Sequence, residues 1–236
     1  MVSMITDDKR VMTQPDIPHA EPKMGKVAVI YTTPETVIDD YARLLDLADY
    51  QTALTPNIET FLKVNISWQH YYPACSSAPW QIDGVAQKLQ ADGFDKLTAA
   101  HNGTVVVNAD EGREKNKHGV VEDRLGLKHV VLDVPPMKWI PYKPTAKMLV
   151  LDDIYKDGLY IPEAFPGTNI VHLPTMKTHV FTTMTGAMKN AFGGLLHRKR
   201  HWTHSVIHET LTDLLAIQQE IHPGLFAVMD GTFAGD

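Results

Sequence analysis

The amino-acid sequence predicts an α/β protein with a largely parallel or mixed sheet and helices on both of its faces. Short apolar runs typical of buried strands alternate along the chain with segments in which apolar residues recur at helical spacing. This alternation is typical of βαβ units, in which a helix connects two parallel strands. With 236 residues, of which 44% are hydrophobic and 21% charged, the chain is long enough to bury the core of such a fold.

The first half of the chain contains the start signals of two helices and four candidate strands. Residues 1–23 are polar and aperiodic, so we expect a flexible tail that is dispensable for folding, followed by a single α/β domain over residues 24–236. The helices are predicted to begin at Thr33-Pro34 and at Pro79, where an N-cap residue or a proline favours the first turn. The predicted strands cover residues 26–31 (KVAVIY), 60–67, 97–101 and 104–108, the last two around a hairpin-type turn signal at Asn102-Gly103.

The second half of the chain continues the alternation. Its predicted strands cover residues 128–134, 147–151, 169–173 and 225–229. Two short helices are predicted to end at glycine, one over residues 120–125 before Gly126 and one over residues 185–192 before Gly193-Gly194. A longer helix is predicted to end at His222-Pro223-Gly224.

The distribution of charge along the chain indicates a ligand. The net charge is −6, yet no acidic residue occurs between Ala164 and His208, a stretch rich in lysine, arginine and histidine. A segment that serves solubility alone mixes both signs of charge, so this one suggests an anionic ligand or a metal. A positive patch in a negative protein suits a small anion better than a long polyanion, which the surrounding field would repel.

Composition also restricts the class of protein. The lone Cys75 excludes an internal disulfide, and it excludes a zinc or iron–sulfur site built from four cysteines of this chain. No apolar run reaches the roughly 18 residues of a membrane span. We therefore expect a cytoplasmic protein with no membrane partner and no iron–sulfur cluster of its own.

A candidate anion site lies where strands end and a helix begins, the edge at which open α/β sheets bind ligands. Its residues are basic, polar or glycine, and we expect them to converge on one pocket that holds a phosphate, sulfate or carboxylate: Lys63, Asn65, Lys177, His179, Thr185, Gly186 and Lys189. Thr185 is the predicted N-cap, and Gly186 lets a ligand approach the helix amides. The alternative is that Thr185 and Gly186 only cap a helix and that the lysines are solvated.

Histidine adds candidate chemistry to this site. If the protein is an enzyme, Lys177 and Lys189 hold the anion while His179 or His204 moves protons, because imidazole titrates near neutral pH. Lys177, His179 and His204 are therefore the candidate catalytic residues. The alternative class is a binding module without catalysis, such as a redox-partner subunit.

A second set of histidines has the spacing of a metal site. On a continuous helix His197, His201, His204 and His208 form one stripe, and imidazoles one turn apart can share a divalent metal. The stripe fails if Gly193-Gly194 ends the preceding helix and Ser205 caps the next one. Residues 197–204 also resemble a basic, aromatic nucleic-acid patch, but the run is short and has no stacking companion nearby in sequence, so nucleic-acid binding is not expected.

Several motifs together resemble the domain-of-unknown-function 362 family. They are Leu173-Pro174-Thr175-Met176-Lys177-Thr178-His179, Thr185-Gly186 through Lys189-Asn190 to Gly193, His204, Pro223 and Val228-Met229-Asp230-Gly231. Lys63-Val64-Asn65 is similar to the family's Lys-Pro-Asn segment with valine in place of proline, and the helix opening at Pro79 also matches. The resemblance covers most of residues 24–236 and adds Asn190 to the candidate ligand-binding residues.

The resemblance implies a prokaryotic protein whose reaction is not assured. Some family members carry an added ferredoxin-like domain, which implies a ferredoxin-like protein as a candidate partner here. A second copy of the chain is the other candidate partner. Family members usually continue past the Asp-Gly segment, whereas this sequence stops at Asp236. We therefore expect a site completed by a further segment to be open in this chain or supplied by a partner.

Overall fold

The structure is a computed structural model that describes residues 3–5, 11–13, 26–104, 107–196 and 200–235. The strands, in chain order, are β1 (Ser3–Ile5), β2 (Val11–Thr13), β3 (Thr60–Val64), β4 (Leu97–His101), β5 (Lys128–Val131), β6 (Trp139–Tyr142), β7 (Leu159–Pro162), β8 (Asn169–Leu173), β9 (Thr175–His179), β10 (Thr183–Met184), β11 (Gly224–Ala227) and β12 (Asp230–Gly235). The helices are α1 (Val37–Leu47), α2 (Pro79–Ala91), α3 (Ala109–Lys115), α4 (His118–Leu125), α5 (Leu151–Ile154), α6 (Ala187–Leu195) and α7 (Ile207–Ile221), with 3-10 turns at Tyr50–Thr52 and Arg200–Val206.

A five-stranded parallel sheet in the order β11-β8-β3-β4-β5 organises the fold. Successive residues of β3 point to opposite faces: Phe61 packs in a core with α6 and α7, and Leu62 packs in a second core with α1 and α2. Helices therefore cover both faces, which confirms the predicted fold class. No helix in the described part of the chain is both long enough and apolar enough to cross a membrane.

Two smaller sheets flank the central one. β9 pairs with β10 antiparallel and with β12 in parallel, directly beyond the carboxyl end of β8. β1, β2, β6 and β7 form an antiparallel sheet in the order β2-β1-β6-β7, so two short strands lie within residues 1–23. The remainder of that stretch lies outside the described residues, and its dispensability for folding stays a prediction.

Two predicted strands are wrong, for different reasons. One has no partner strand among the described residues, and the amides of the other donate to a side chain instead of to a strand. Residues 26–31 form no ladder, and Val27, Val29 and Tyr31 are 85%, 81% and 96% exposed. They face β11 across a cavity of about 870 Å³. Residues 147–151 turn into α5 instead of pairing, since the Asp213 carboxylate of α7 accepts hydrogen bonds from three consecutive amides, those of residues 149–151.

The predicted hairpin at Asn102-Gly103 is also wrong. β4 runs parallel to both of its neighbours, β3 and β5, so the chain after it leaves the sheet. The Gly103 amide donates to Asp133 Oδ1 (2.8 Å), and Asn108 caps α3 by accepting from the Glu111 amide (3.0 Å). Residues 105–106 lie outside the described residues. The first helix begins later than predicted, at Val37 with Thr36 as N-cap residue.

Candidate functional site

Lys63 is a buried cation near the carboxyl end of the central strand β3. Its side chain lies under α6 and is 2% exposed. Its ammonium group donates to the Val64 carbonyl (2.9 Å) and to Asn102 Oδ1 (2.9 Å), both of which are neutral. Burial, followed by the positive charge of Arg200, lowers the pKa of Lys63 to about 7, although the negative charge of Asp133 opposes the shift.

The glycine pair after Phe192 lets α6 approach Lys63. The prediction that this pair ends the helix is wrong. α6 continues through both glycines to Leu195. A Cβ atom on Gly193 would lie 2.9 Å from Asn102 Nδ2, and one on Gly194 would lie 2.6 Å from Lys63 Cε. Glycine is therefore required here for close packing of helix against strand. From the same helix, Asn190 Nδ2 donates to the Lys63 carbonyl (2.6 Å).

The N-terminus of α6 also differs from the prediction. The N-cap residue is Gly186, and no side chain caps the helix. Thr185 is instead held by β9, because its hydroxyl donates to the Thr175 carbonyl (2.5 Å) and its amide donates to the Lys177 carbonyl (2.9 Å). A Cβ atom on Gly186 would meet nothing within 4 Å, so the space in front of this helix end is open.

Lys177 lies on β9 and bonds to the segment that follows β3. Its ammonium group donates to Ser67 Oγ (2.6 Å) and to the Cys75 carbonyl. Asn65 joins the same network, since its Nδ2 donates to the Cys75 carbonyl (3.1 Å) and its Oδ1 accepts from Ser67 Oγ (3.1 Å). Burial lowers the pKa of Lys177. Because β9 is extended, His179 lies two residues on, at the same face of the strand.

Lys189 connects these two lysines electrostatically. Its ammonium group lies 4.5 Å from the centre of the Phe192 ring. Burial, then the charges of Arg200 and Lys177, lower its pKa to about 8, and its own charge contributes to the lowered pKa of Lys63. Lys189 is thus close enough to interact with cations from β3 and from β9.

The two candidate catalytic histidines lie beside Lys189. Burial, then the charges of Lys189 and Lys177, lower the pKa of His179 to about 4. His204 stacks on Phe181 (ring centroids 4.6 Å apart) and on Phe192 (5.5 Å), and burial followed by Lys189 lowers its pKa. At pH 7 both imidazoles are therefore neutral.

Sequence reasoning missed two residues of this region. Arg200 donates to the Gly103 carbonyl (2.7 Å) and lowers the pKa of both Lys63 and Lys189. Asn102 directly follows β4 and holds Lys63. Its position after an apolar strand, together with the glycine pair on α6, was the available signal. We call Lys63, Lys177, Lys189 and Arg200 the basic cluster.

The predicted convergence of these residues on one pocket stays a prediction, and the structure shows where each of them lies. Lys63 is covered by α6, and the cavity of about 870 Å³ is lined mainly by residues 26–32, α1 and β11. None of the predicted anion-site residues lines that cavity. The side chains of Asn65 and Lys177 both donate to the Cys75 carbonyl. The charges of Lys177 and Lys189 both lower the pKa of His179, so these three side chains lie near one another, whereas Lys63 is buried against Gly194 of α6.

The predicted histidine stripe is interrupted. His197 lies outside the described residues, and a 3-10 turn separates α6 from α7, so His201 and His204 are not on a continuous α-helix with His208. In the part of the chain that is described, three side chains of histidine or acidic residues have potential ligand atoms within 4.8 Å of one another, those of His101, His118 and Glu122. The i, i+4 spacing of the last two was the missed signal.

The fold and the cluster define an α/β protein with cations gathered beyond the carboxyl edge of a parallel sheet. A family model for a domain of unknown function, DUF362, matches residues 60–236, and the chain belongs to this family. Comparison with curated proteins finds no match. Among solved structures, the chain is similar to a Thermotoga maritima protein from a structural genomics consortium, with a TM-score of 0.52 and 12% identity. The aligned region covers 86% of this chain and 52% of the Thermotoga maritima protein, so this chain spans about half the length of that protein. At this level of identity the similarity shows the fold alone.

Proposed function

We propose that the protein binds a small carboxylated or phosphorylated anion at the basic cluster. The observation that carries this proposal is incomplete compensation: within the described ranges, no member of the cluster forms a salt bridge with a carboxylate, and the negative charge of Asp133 offsets the lowered pKa of Lys63 and of Arg200 only in part. Neutral carbonyls, side-chain oxygens and one aromatic ring are their contacts. Cations held together away from water are unfavourable until an anion compensates them.

The members of the cluster have different roles in this proposal. Lys189 and Arg200 lie around the space that the anion would occupy, together with Lys177. Lys63 is too buried to touch a ligand and contributes positive potential from below. The uncapped amides at the start of α6, beside Gly186, add donors for the anion.

Proton transfer by His179 would make this binding site an enzyme. The Phe181 amide donates to His179 Nδ1 (3.2 Å), so the neutral ring carries its proton on Nε2. A bound anion opposes the cations that lower the pKa of His179, and this pKa then rises from about 4 toward the range of a general acid or base. His204, stacked on two phenylalanine rings, is the second candidate for this role.

Calorimetric titration with inorganic phosphate, sulfate and malonate tests the binding. We expect Lys189→Met to weaken the tightest of the three by at least about tenfold, or about 1.4 kcal/mol. Lys96→Met is the matched control, since Lys96 is exposed and precedes β4 at the opposite edge of the sheet. Equal affinities in Lys189→Met and wild type, or no heat with any of the three anions, would show that the cluster is not an anion site.

The enzymatic and the non-catalytic versions of the proposal differ at His179. In an enzyme, His179→Ala abolishes turnover while anion affinity changes by less than about tenfold, because the ring moves a proton whereas the neighbouring cations hold the anion. In a binding module the same variant binds anions and there is no turnover to lose.

A further inference from the structure

Three aromatic rings form a stack beside the basic cluster. The ring of His204 lies 4.6 Å from that of Phe181, with the ring planes 14° apart, and 5.5 Å from that of Phe192, with the planes 29° apart. The Lys189 ammonium group lies 4.5 Å from the centre of the Phe192 ring. The stack therefore connects Phe181, in the turn between β9 and β10, to a cation of the cluster on α6.

Phe181 is the outer ring of this stack. It is 49% exposed although His204 covers one of its faces, so the opposite face and the ring edge are accessible to solvent. The preceding residue, Val180, is 87% exposed. Turns between strands usually contain glycine, proline or small polar residues, whereas this turn carries two large apolar side chains in succession. Adjacent exposed apolar side chains beside a polar site are typical of a ligand-binding surface.

The accessible ring also lies next to the strand that carries part of the basic cluster. The rings of His179 and Phe181 lie 6.0 Å apart, and His179 Nδ1 accepts from the Phe181 amide (3.2 Å). Lys177 lies on the same face of β9 as His179. An anion held between Lys177 and Lys189 would therefore have an exposed aromatic surface at its side.

We propose that the ligand of the basic cluster is an aromatic anion, in which a carboxylate or phosphate group is attached to a planar ring that stacks on the exposed face of Phe181. This inference rests on the proposed anion site and names the class of ligand that the site takes. An inorganic anion would use the cations alone and leave Val180 and Phe181 in water, whereas an aromatic anion removes apolar surface from water as it binds.

The geometry of the stack favours a flat ring over an aliphatic chain. Phe192, His204 and Phe181 already lie face to face with small angles between successive planes. A ligand ring on the outer face of Phe181 extends this arrangement by one ring, and stacked aromatic pairs are stabilised beyond the area that they bury. A flexible chain would contact the same face without that additional stabilisation.

Calorimetric titration of the full chain with phenylphosphonate and methylphosphonate tests the ligand class, because the two share one anionic group and differ in the ring. We expect the wild type to bind phenylphosphonate at least about tenfold more tightly. In Phe181→Ala the ratio of the two affinities should fall below about threefold. Benzoate against acetate repeats the comparison with a carboxylate, and the pair with the larger preference identifies the anionic group.

Met184→Ala is the matched control. Met184 is a 52% exposed apolar residue of the same hairpin, but it pairs with Thr178 and so lies on the opposite face from Lys177 and His179. This variant should retain the wild-type preference for the aromatic ligand. Cyclohexylphosphonate, which is similar in size but not flat, should bind the wild type more weakly than phenylphosphonate, and equal or tighter binding would reject an aromatic ligand.

The outcomes separate this inference from the anion site itself. If the wild type binds methylphosphonate or acetate but prefers the aromatic member of neither pair, the anion site stands and the aromatic ligand is rejected. If no ligand gives heat, both proposals fail. A preference that survives in Phe181→Ala also rejects the inference. If that variant does not fold, nuclear Overhauser effects between bound phenylphosphonate and the Phe181 ring of the wild type decide, since their presence supports the stacking and their absence excludes it.

Discussion

Buried acids on α7 and the buried cations of the basic cluster differ in how completely they are compensated. Asp213 accepts from three consecutive amides at 2.7, 2.9 and 3.0 Å. Glu220 accepts from the Tyr142 hydroxyl (2.5 Å), from the Thr145 amide and hydroxyl, and from the Ala146 amide (2.7 Å). Among the described residues, Lys63 and Lys177 each donate to two neutral acceptors.

The effect on proton binding differs accordingly. Burial alone raises the pKa of Glu220, yet hydrogen bonds from Thr145 and Tyr142 bring it below its ordinary value, so the folded protein favours the charged form. For Lys63 and Lys189 burial dominates, neighbouring cations add to it, and the folded protein disfavours the charged form. The acids stabilise the fold, whereas the cations cost stability, as expected for a site arranged for a ligand.

The largest effect should follow removal of a compensated acid. Asp213→Ala leaves three buried amides without their acceptor, and we expect a loss of about 3 kcal/mol in the free energy of unfolding. Chemical denaturation monitored by circular dichroism measures it. Asp152→Ala, on the exposed side of α5, is the control and should stay within about 0.5 kcal/mol of wild type.

Overpacking above Lys63 should have the next largest effect. Gly194→Ala places a Cβ atom 2.6 Å from Lys63 Cε and 2.7 Å from Leu132 Cδ1. Because two hydrogen bonds fix the Lys63 ammonium group, the side chain cannot move away freely, and we expect a net loss of about 2 kcal/mol. An unchanged denaturation midpoint would show that α6 does not press on β3 in this way.

Removing the charge of Lys63 should change the pH dependence of stability. The folded-state pKa is about 7 and the ordinary value 10.5, so between these values the unfolded chain binds the extra proton and stability rises with pH. From pH 7 to 9 we expect the wild type to gain about 1–2 kcal/mol more than Lys63→Met. Urea denaturation at both pH values measures the difference, and Lys96→Met should behave as wild type.

The smallest effect on stability is expected at the open end of α6. Gly186 has φ 172°, an extended conformation that any residue adopts, and a Cβ atom there meets nothing within 4 Å. Gly186→Ala should therefore change the free energy of unfolding by less than about 0.5 kcal/mol. If an anion approaches the amides of this helix end, the same variant weakens phosphate binding, and calorimetry at matched salt concentration compares it with wild type.

The sequence predicts the elements that local pattern determines. β8, α2 and α7 have their apolar spacing and end signals in the residues themselves, and each occurs close to its expected bounds. Residues 26–31 have a clear strand pattern but pair with no strand among the described residues, because pairing depends on another part of the chain. Residues 147–151 depend in the same way on an acid more than sixty positions later.

The candidate site follows the same division. Lys177, His179 and Lys189 were predicted from charge and position, and in the structure their charges interact, while their role in a site stays a prediction. The function of Gly193 and Gly194 was misread because a glycine pair gives the same sequence signal for helix termination and for close packing. The contacts of Asn102 and Arg200, and those among the buried His101, His118 and Glu122, depend on which elements meet in three dimensions, which local pattern does not specify.

The pairing of β3 with β8 determines when Lys63 acquires its unusual acidity. Thr60 and Asn169 are neighbours in the sheet although they are 109 positions apart in the chain, and closing such a long loop is slow compared with pairing β3 to the nearer β4. Until β8 and α6 arrive, the Lys63 ammonium group is solvated and titrates like any other lysine. We therefore expect its lowered pKa to appear late in folding, and a stopped-flow measurement of proton release from Lys63 at pH 8 would report the docking of α6 onto the sheet.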